Sequence, residues 1–291
     1  MKYDGNPVLG GALGTCFDVS VLRLTTTYRM WFSWRPKRSI AWTDSTDGIH
    51  WSEPAIALAP LPATGWELEV NRPAVVYSNG LYRMWYTGQT ATASAIGYAE
   101  STDGAHWERI LPDPVLTPLP NWERPAVMAP GVLWDEAEHL YKMWYSGGQQ
   151  YEPNAIGYAT SPDGIRWTRA SVQPVLRPEL SRRWERNRVA GAQVIKLDGR
   201  YCAFYIGFET IHDAAIGLAV SKDGIHEWKR HPANPIIRRG SSGWDRSSCY
   251  KPYAIFDGSR WLLWYNGRDG NLEQIGLAIH QGEDLGLPSI D

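Results

Sequence analysis

The 291-residue chain is long enough to bury a large core, as one big β domain or two ordinary ones. A formal net charge of −2 excludes bulk nucleic-acid binding but leaves room for a local basic pocket. Trp (16) and Tyr (15) far outnumber Phe (5), which suits pleated, half-buried strands and also surfaces that cover the C–H faces of sugars. The opening segment, MKYDGNPVLGG, has no apolar run of signal-peptide length, and no window approaches a membrane span. The expectation is a soluble cytoplasmic protein with no membrane or nucleic-acid partner. Cys16, Cys202 and Cys249 are too few and too widely spaced for a disulfide framework or a zinc site.

From residue 15 onward one sequence unit recurs. The first copy, about residues 15–60, reads VSVLRLTTT, YRMWFSW, SIAWTDSTDGIHW and EPAIALAP. The second, about 66–118, reads PAVVYSNG, YRMWYTG, AIGYAESTDGAHW and DPVLTP. The third, about 122–178, and the fourth, about 184–239, repeat the order with YKMWYSG and YCAFYIG as their second element. The fifth, about 244–284, has PYAIFDG, WLLWYNG and a truncated QIGLAIHQGED, with no fourth element of its own. Each unit therefore predicts four short antiparallel strands. Asn79-Gly80 and Asp198-Gly199 mark hairpins between the first and second. A Ser-x-Asp-Gly-x-x-Trp turn follows the third. Tyr3–Leu9 matches Pro232–Ile237 around its Asn-Pro step, so residues 5–10 are expected to complete the last unit. The predicted fold is one all-β domain over residues 1–291, a five-bladed β-propeller closed by its N-terminal strand.

Alternating strand direction puts the Asp-Gly turns on one face of such a ring and the irregular loops on the other. The turn acids Asp47, Asp103, Asp163 and Asp223 therefore read as structural. On the irregular face, Trp precedes an acid in four copies: Trp66-Glu67, Trp122-Glu123, Trp184-Glu185 and Trp244-Asp245. A residue present in every copy usually serves the architecture, although Glu123 or Glu185 could be recruited for catalysis. The residue just before each first strand is expected at the channel mouth. Those positions hold Asp18, Arg72, Ala129, Gly191 and Lys251, with Asp18 the only acid. Glu69, Asn71, Asn187, Arg188 and Tyr250 lie just upstream. The loops between second and third strands add Arg35, Lys37 and Arg38, then Gln149 to Glu152, then Glu209, His212 and Asp213, then Arg268, Asp269 and Glu273. Each of these charges taken alone suits a solvated surface better than a site; their convergence on one channel is what singles them out.

With its YxMWYxG strand, its SxDGxxW turn and the Asp18-Val19-Ser20-Val21 opening, the chain resembles the five-bladed propeller glycoside hydrolases of families 43 and 32. It resembles the family 130 phosphorylases more loosely. The resemblance implies a carbohydrate partner and makes Asp18 the general base of an inverting reaction. It also implies two further carboxylates, but Ala129 and Ala190 stand where family 43 carries them. The family 32 signatures (Asn-Asp-Pro, Arg-Asp-Pro and Glu-Cys) are absent.

Glycoside hydrolysis needs an acid and a base or nucleophile across the scissile bond. The expectation is Asp18 as base or nucleophile and Glu123, Glu185, Glu69 or Asp213 as acid, with Glu123 first because Pro125 stiffens its segment. Asn71, Arg72, Arg124, Arg188, His212, Tyr250 and Lys251 are expected to contact substrate. Arg72, Arg188 and Lys251 would suit a carboxylate or a phosphate. Two other readings follow: a glycoside phosphorylase, and a carbohydrate-binding propeller that has lost its acids. No cofactor is expected. An axial Ca²⁺ is compatible with such folds, but no ligand cluster is legible.

Overall fold

The computed structural model describes residues 1–290 and is all-β, with five successive antiparallel units. The first comprises β1 (Cys16–Arg23), β2 (Tyr28–Trp34), β3 (Ser39–Ser45) and β4 (Ala55–Leu58). The second comprises β5 (Glu69–Ser78), β6 (Leu81–Gln89), β7 (Ser94–Ser101) and β8 (Glu108–Arg109). The third comprises β9 (Ala126–Asp135), β10 (Leu140–Gly148), β11 (Ala155–Ser161) and β12 (Thr168–Arg169). The fourth comprises β13 (Arg188–Leu197), β14 (Arg200–Thr210), β15 (Asp213–Ser221) and β16 (Lys229–Arg230). The fifth has three strands, β17 (Ser248–Phe256), β18 (Arg260–Asp269) and β19 (Leu272–Gln281). A single parallel bridge, Ser94 to Ala126, joins the second and third units into one sheet.

The first strands touch in a closed cycle, β1 to β5, β9, β13, β17 and back to β1, which makes the fold propeller-like. The core lies in layers between neighbouring units. Trp31, Ile40, Val75 and Met84 fill one layer; Val19, Met30, Phe32, Trp264 and Leu277 fill the layer between the fifth unit and the first.

A repeated hydrogen bond also steps around the cycle. The indole N–H of Trp31 donates to the Gly104 carbonyl of the next unit's Asp-Gly turn. Trp85 does the same to Gly164, Trp144 to Gly224, and Trp264 of the fifth unit to Gly48 of the first. Only the step from the fourth unit to the fifth lacks this bond, because Phe204 stands in the Trp position.

The N-terminal segment takes the outer place in the fifth unit. Leu9 bridges Ile275, and Lys2 bridges Ala278. Asn6 exchanges two bonds with the Leu277 backbone, as Asn234 does with Leu218, and both Asn residues precede a cis proline. The outer strands are shorter than the sequence suggests. In units two to four each is a two-residue strand followed by one bridge, at Leu116, Leu176 and Ile237. Pro114, Pro174 and Pro235 account for this, since proline cannot donate to a ladder.

The Asp-Gly turns are hydrogen-bonded structures. Asp103 Oδ1 accepts the N–H groups of Ala105 and His106, each at 2.8 Å, and the Gly104 N–H bonds Ser101 Oγ at 2.8 Å. Asp47, Asp163 and Asp223 repeat the arrangement. The His106 side chain, then the His106 and Ala105 N–H groups, hold the Asp103 carboxyl well below the usual range. A depressed carboxyl contributes stability above its unfolded pKa, about 4, and that stability is lost as pH falls toward the folded value. The urea midpoint should therefore drop as pH is lowered from about 5 to about 2. Asp103→Asn should make that decline shallower, and a midpoint indifferent to pH would contradict the assignment.

Candidate active site

Each first strand carries a β-bulge near its start, and the register of its pairing shifts there. The residue at the bulge adopts a left-handed backbone in every unit: Asp18 (φ 51°), Arg72 (54°), Ala129 (50°), Gly191 (53°) and Lys251 (48°). Four of the five are not glycine, so the conformation is imposed by the surrounding structure. A bulge re-aims its side chain out of the sheet. All five residues line one cavity of about 300 Å³.

The bulges are held by polar side chains on the second strand of the preceding unit. Ser33 Oγ accepts the Arg72 N–H at 2.7 Å, Thr87 Oγ1 that of Ala129 at 3.0 Å, and Ser146 Oγ that of Gly191 at 2.8 Å. Asn266 Oδ1 accepts the Asp18 N–H at 2.9 Å, across the junction between units five and one. Ile206 occupies the matching place before Lys251.

Asp18 is buried at the bottom of the cavity. Its Oδ1 accepts the Asn266 amide N–H at 2.6 Å, and its Oδ2 lies 3.1 Å from Arg72 Nε. Arg72 also donates to Asn71 Oδ1 and Gln89 Oε1, so Asn71 positions Arg72 and does not itself line the cavity. Two more carboxyl groups reach the cavity. Glu273 accepts the Tyr250 hydroxyl on Oε1 and pairs with Arg35 at 2.9 Å through Oε2. Glu152 arrives on the third unit's loop, whose backbone carbonyl Arg188 holds. Burial, then the charges of Glu273 and Asp18, push the Tyr250 hydroxyl well above its ordinary range. Of the two carboxylates, Glu273 holds the phenol directly, and Asp18 lines the same cavity.

The cations divide into paired and unpaired. Arg35 and Arg72 are bound to acids. Lys251 is only 4% exposed, and its ammonium makes no hydrogen bond or ion pair among the described residues. Burial pushes its pKa down, Asp18 pulls it up, and Arg72 lowers it further. Arg268 donates to the His212 carbonyl at 3.1 Å, while its Nε is buried without a partner.

The other expected acids lie elsewhere. Glu123 is fully buried away from the cavity. It accepts the Tyr145 hydroxyl at 2.7 Å, a two-pronged contact from Arg169 and the Leu119 N–H. Glu185 is held by Tyr205 and Arg230, and Glu67 by Tyr86 and Arg109. Asp245 completes the series with Tyr265 and Lys2, so Lys2 of the N-terminal segment occupies the place of the outer-strand arginines. Burial lifts the Glu185 carboxyl above its usual range, yet the group is sealed from the cavity, so the lift carries no catalytic meaning. Glu69 lies 4.0 Å from Arg38, and Asp213 3.5 Å from Arg239, both outside the cavity. Arg124 is exposed, and His212 lies on a neighbouring groove. Among the described residues no group of three His, Cys, Asp or Glu side chains is placed to hold a metal ion.

Sequence reasoning brought Asp18, Arg72, Tyr250 and Lys251 to the cavity but left Arg35, Arg268 and Glu273 as undistinguished loop charges. One signal was available. Asn266 stands where units one to three carry Ser33, Thr87 and Ser146, and it is the residue that grips Asp18.

The sequence profile of the glycosyl hydrolases family 32 N-terminal domain matches residues 20–187. Asp18, Tyr250, Lys251 and Glu273 fall outside that stretch. An uncharacterized protein of Mycobacterium tuberculosis, Rv1502, is 29% identical over 169 residues, covering 51% of this chain and 52% of that protein. The match thus spans about half the length of the curated relative. Among solved structures, a thermostable family-43 glycoside hydrolase superposes with TM-score 0.77 at 19% identity, covering 97% of this chain and 94% of that one. A glycosyl hydrolase from Bacteroides ovatus gives TM-score 0.75 at 15% identity, covering 95% and 92%. A structure from the GH130 mannoside phosphorylase family, which contains hydrolases of β-1,2 mannosidic linkages in Candida mannan, gives 0.75 at 14%, covering 96% and 93%. At these identities the superpositions establish the fold.

Proposed function

The chain belongs to the glycosyl hydrolases family 32 N-terminal domain family, and from that membership we propose that it cleaves a glycosidic bond with Asp18 and Glu273 as its paired carboxyl groups. The observation that carries this reading is that both line one cavity, with the Tyr250 hydroxyl bonded to Glu273. Asp18 serves as base or nucleophile. Its amide and guanidinium partners hold a carboxylate in place without consuming its outward face. Glu273 is the partner carboxyl; in its protonated form it gives the leaving-group oxygen a proton, directly or through the Tyr250 hydroxyl bonded to it, and is re-protonated from solvent. The closed first-strand cycle and the N-terminal segment on β19 support a five-bladed propeller as the scaffold.

A screen of nitrophenyl glycosides and oligosaccharides, with and without phosphate, tests the reaction class. Glu273→Gln should lower turnover about a hundredfold on any substrate found. Full activity in that variant would remove Glu273 from the pair. A second reading, phosphorolysis, is favoured by the unpartnered Lys251 ammonium, and phosphate-dependent cleavage would establish it. Ala129 and Ala190 favour a third, in which the cavity binds carbohydrate without cleaving it; sugar binding with no turnover across the screen would establish that.

A further inference from the structure

The charges around the cavity are unevenly satisfied. Its two buried acids, Asp18 and Glu273, are already matched to Arg72 and Arg35, and Glu152 is partly exposed. What is left is positive: Lys251, buried and unpartnered, and the Nε of Arg268, buried and unpartnered. A buried ammonium without a counter-charge is costly unless a ligand supplies one. Sugar hydroxyls alone would leave that charge uncompensated.

A second feature points the same way. Arg268 also lines a groove of about 600 Å³ that runs outward over units four and five, with His212, Asp213, Arg239 and Arg246. Arg239 and Arg246 pair with Asp213 and Asp269 at the margin. Arg183 hydrogen-bonds Glu209 at 2.6 Å, and that bond, then the charges of Arg183, Arg186 and Arg238, hold the Glu209 carboxyl below the usual range. Arg268 lines both the cavity and this groove, and so links the two.

Resting on the carbohydrate-cleaving reading above, we propose that the substrate is an acidic glycan. A terminal sugar carboxylate is held by Lys251 and Arg268 in the cavity, and further acidic residues run along the groove past Arg246 and Arg239. A guanidinium edge and an ammonium suit a planar carboxylate. Cations along the groove favour a chain with repeated negative charge over a single charged sugar.

The experiment is calorimetric binding of mono- to tetrameric oligogalacturonate, alginate and hyaluronate fragments at low and high salt, with neutral cello- and galacto-oligosaccharides of equal length. Inorganic phosphate is titrated separately. Acidic fragments should bind and the neutral ones should not, with affinity rising with length and falling with salt. Lys251→Met and Arg268→Gln should each weaken acidic tetramer binding roughly tenfold to a hundredfold. Arg239→Gln with Arg246→Gln should erase most of the gain with length. Unfolding midpoints identify any variant that has lost its fold, and Arg268→Gln then carries the test for the cavity.

Equal binding of neutral and acidic chains, or unaltered acidic binding in both cavity variants, would overturn the proposal. So would phosphate binding with no acidic glycan bound. Acidic fragments that bind without being cleaved would uphold it while sinking the hydrolase reading. Asp18-dependent cleavage of neutral glycosides alone would do the reverse.

Discussion

Asp18→Asn is expected to lower turnover about a thousandfold while the protein stays folded. The substitution keeps the side-chain shape and the bond from the Asn266 amide, but it removes the negative charge at the cavity floor. Arg72 then loses its ion pair yet keeps Asn71 and Gln89 as acceptors, so the stability loss should stay within about 2 kcal/mol. Kinetics on an identified substrate, paired with a urea unfolding curve, check both halves. Unchanged turnover would remove Asp18 from the chemistry. A collapsed unfolding midpoint would mean that its role is to hold the junction between the first and last units.

The opposite pattern is expected at Glu123. Glu123→Gln should cost about 3 kcal/mol or more of folding stability. The carboxylate is fully buried and receives donors from Tyr145, Arg169 and Leu119. An amide turns one acceptor into a donor facing those donors, and it leaves the half-buried Arg169 guanidinium without its counter-charge. Because no part of Glu123 reaches the cavity, kcat of the folded fraction should not change. Urea denaturation beside single-concentration kinetics would show this, and a large kcat loss with an intact midpoint would restore Glu123 as a candidate acid.

The contrast between these residues shows what the sequence could convey. The repeat aligned Asp18, Arg72, Ala129, Gly191 and Lys251 as equivalents, and the structure gathers all five in one cavity because the bulge is part of the repeat. It also marked the Trp-adjacent acids as architectural. It could not show that Glu123 turns away from the channel, since its partners Tyr145 and Arg169 lie 22 and 46 residues downstream. Pro125, two residues after Glu123, suggested a rigid catalytic segment, but the same rigidity serves a buried ion pair. Glu273 was hidden for another reason. It enters the cavity from the start of β19, and only the tertiary meeting with Arg35 and Tyr250 gives it significance.

The N-terminal segment on β19 has a consequence for how the molecule is made. Residues 2–9 leave the ribosome well before the fifth unit, yet Leu9 pairs with Ile275 and Lys2 with Asp245 of that unit. Until the fifth unit is synthesised, those residues have no edge to join. At ordinary elongation rates of about 5–20 residues per second, that wait lasts tens of seconds. During it the inner faces that will meet across the last junction, Val19 and Phe32 on one side and Trp264 and Leu277 on the other, cannot yet cover each other. A nascent chain in this state is an open arc with an apolar margin, and chaperones that recognise exposed hydrophobic strands would engage it there before the ring shuts.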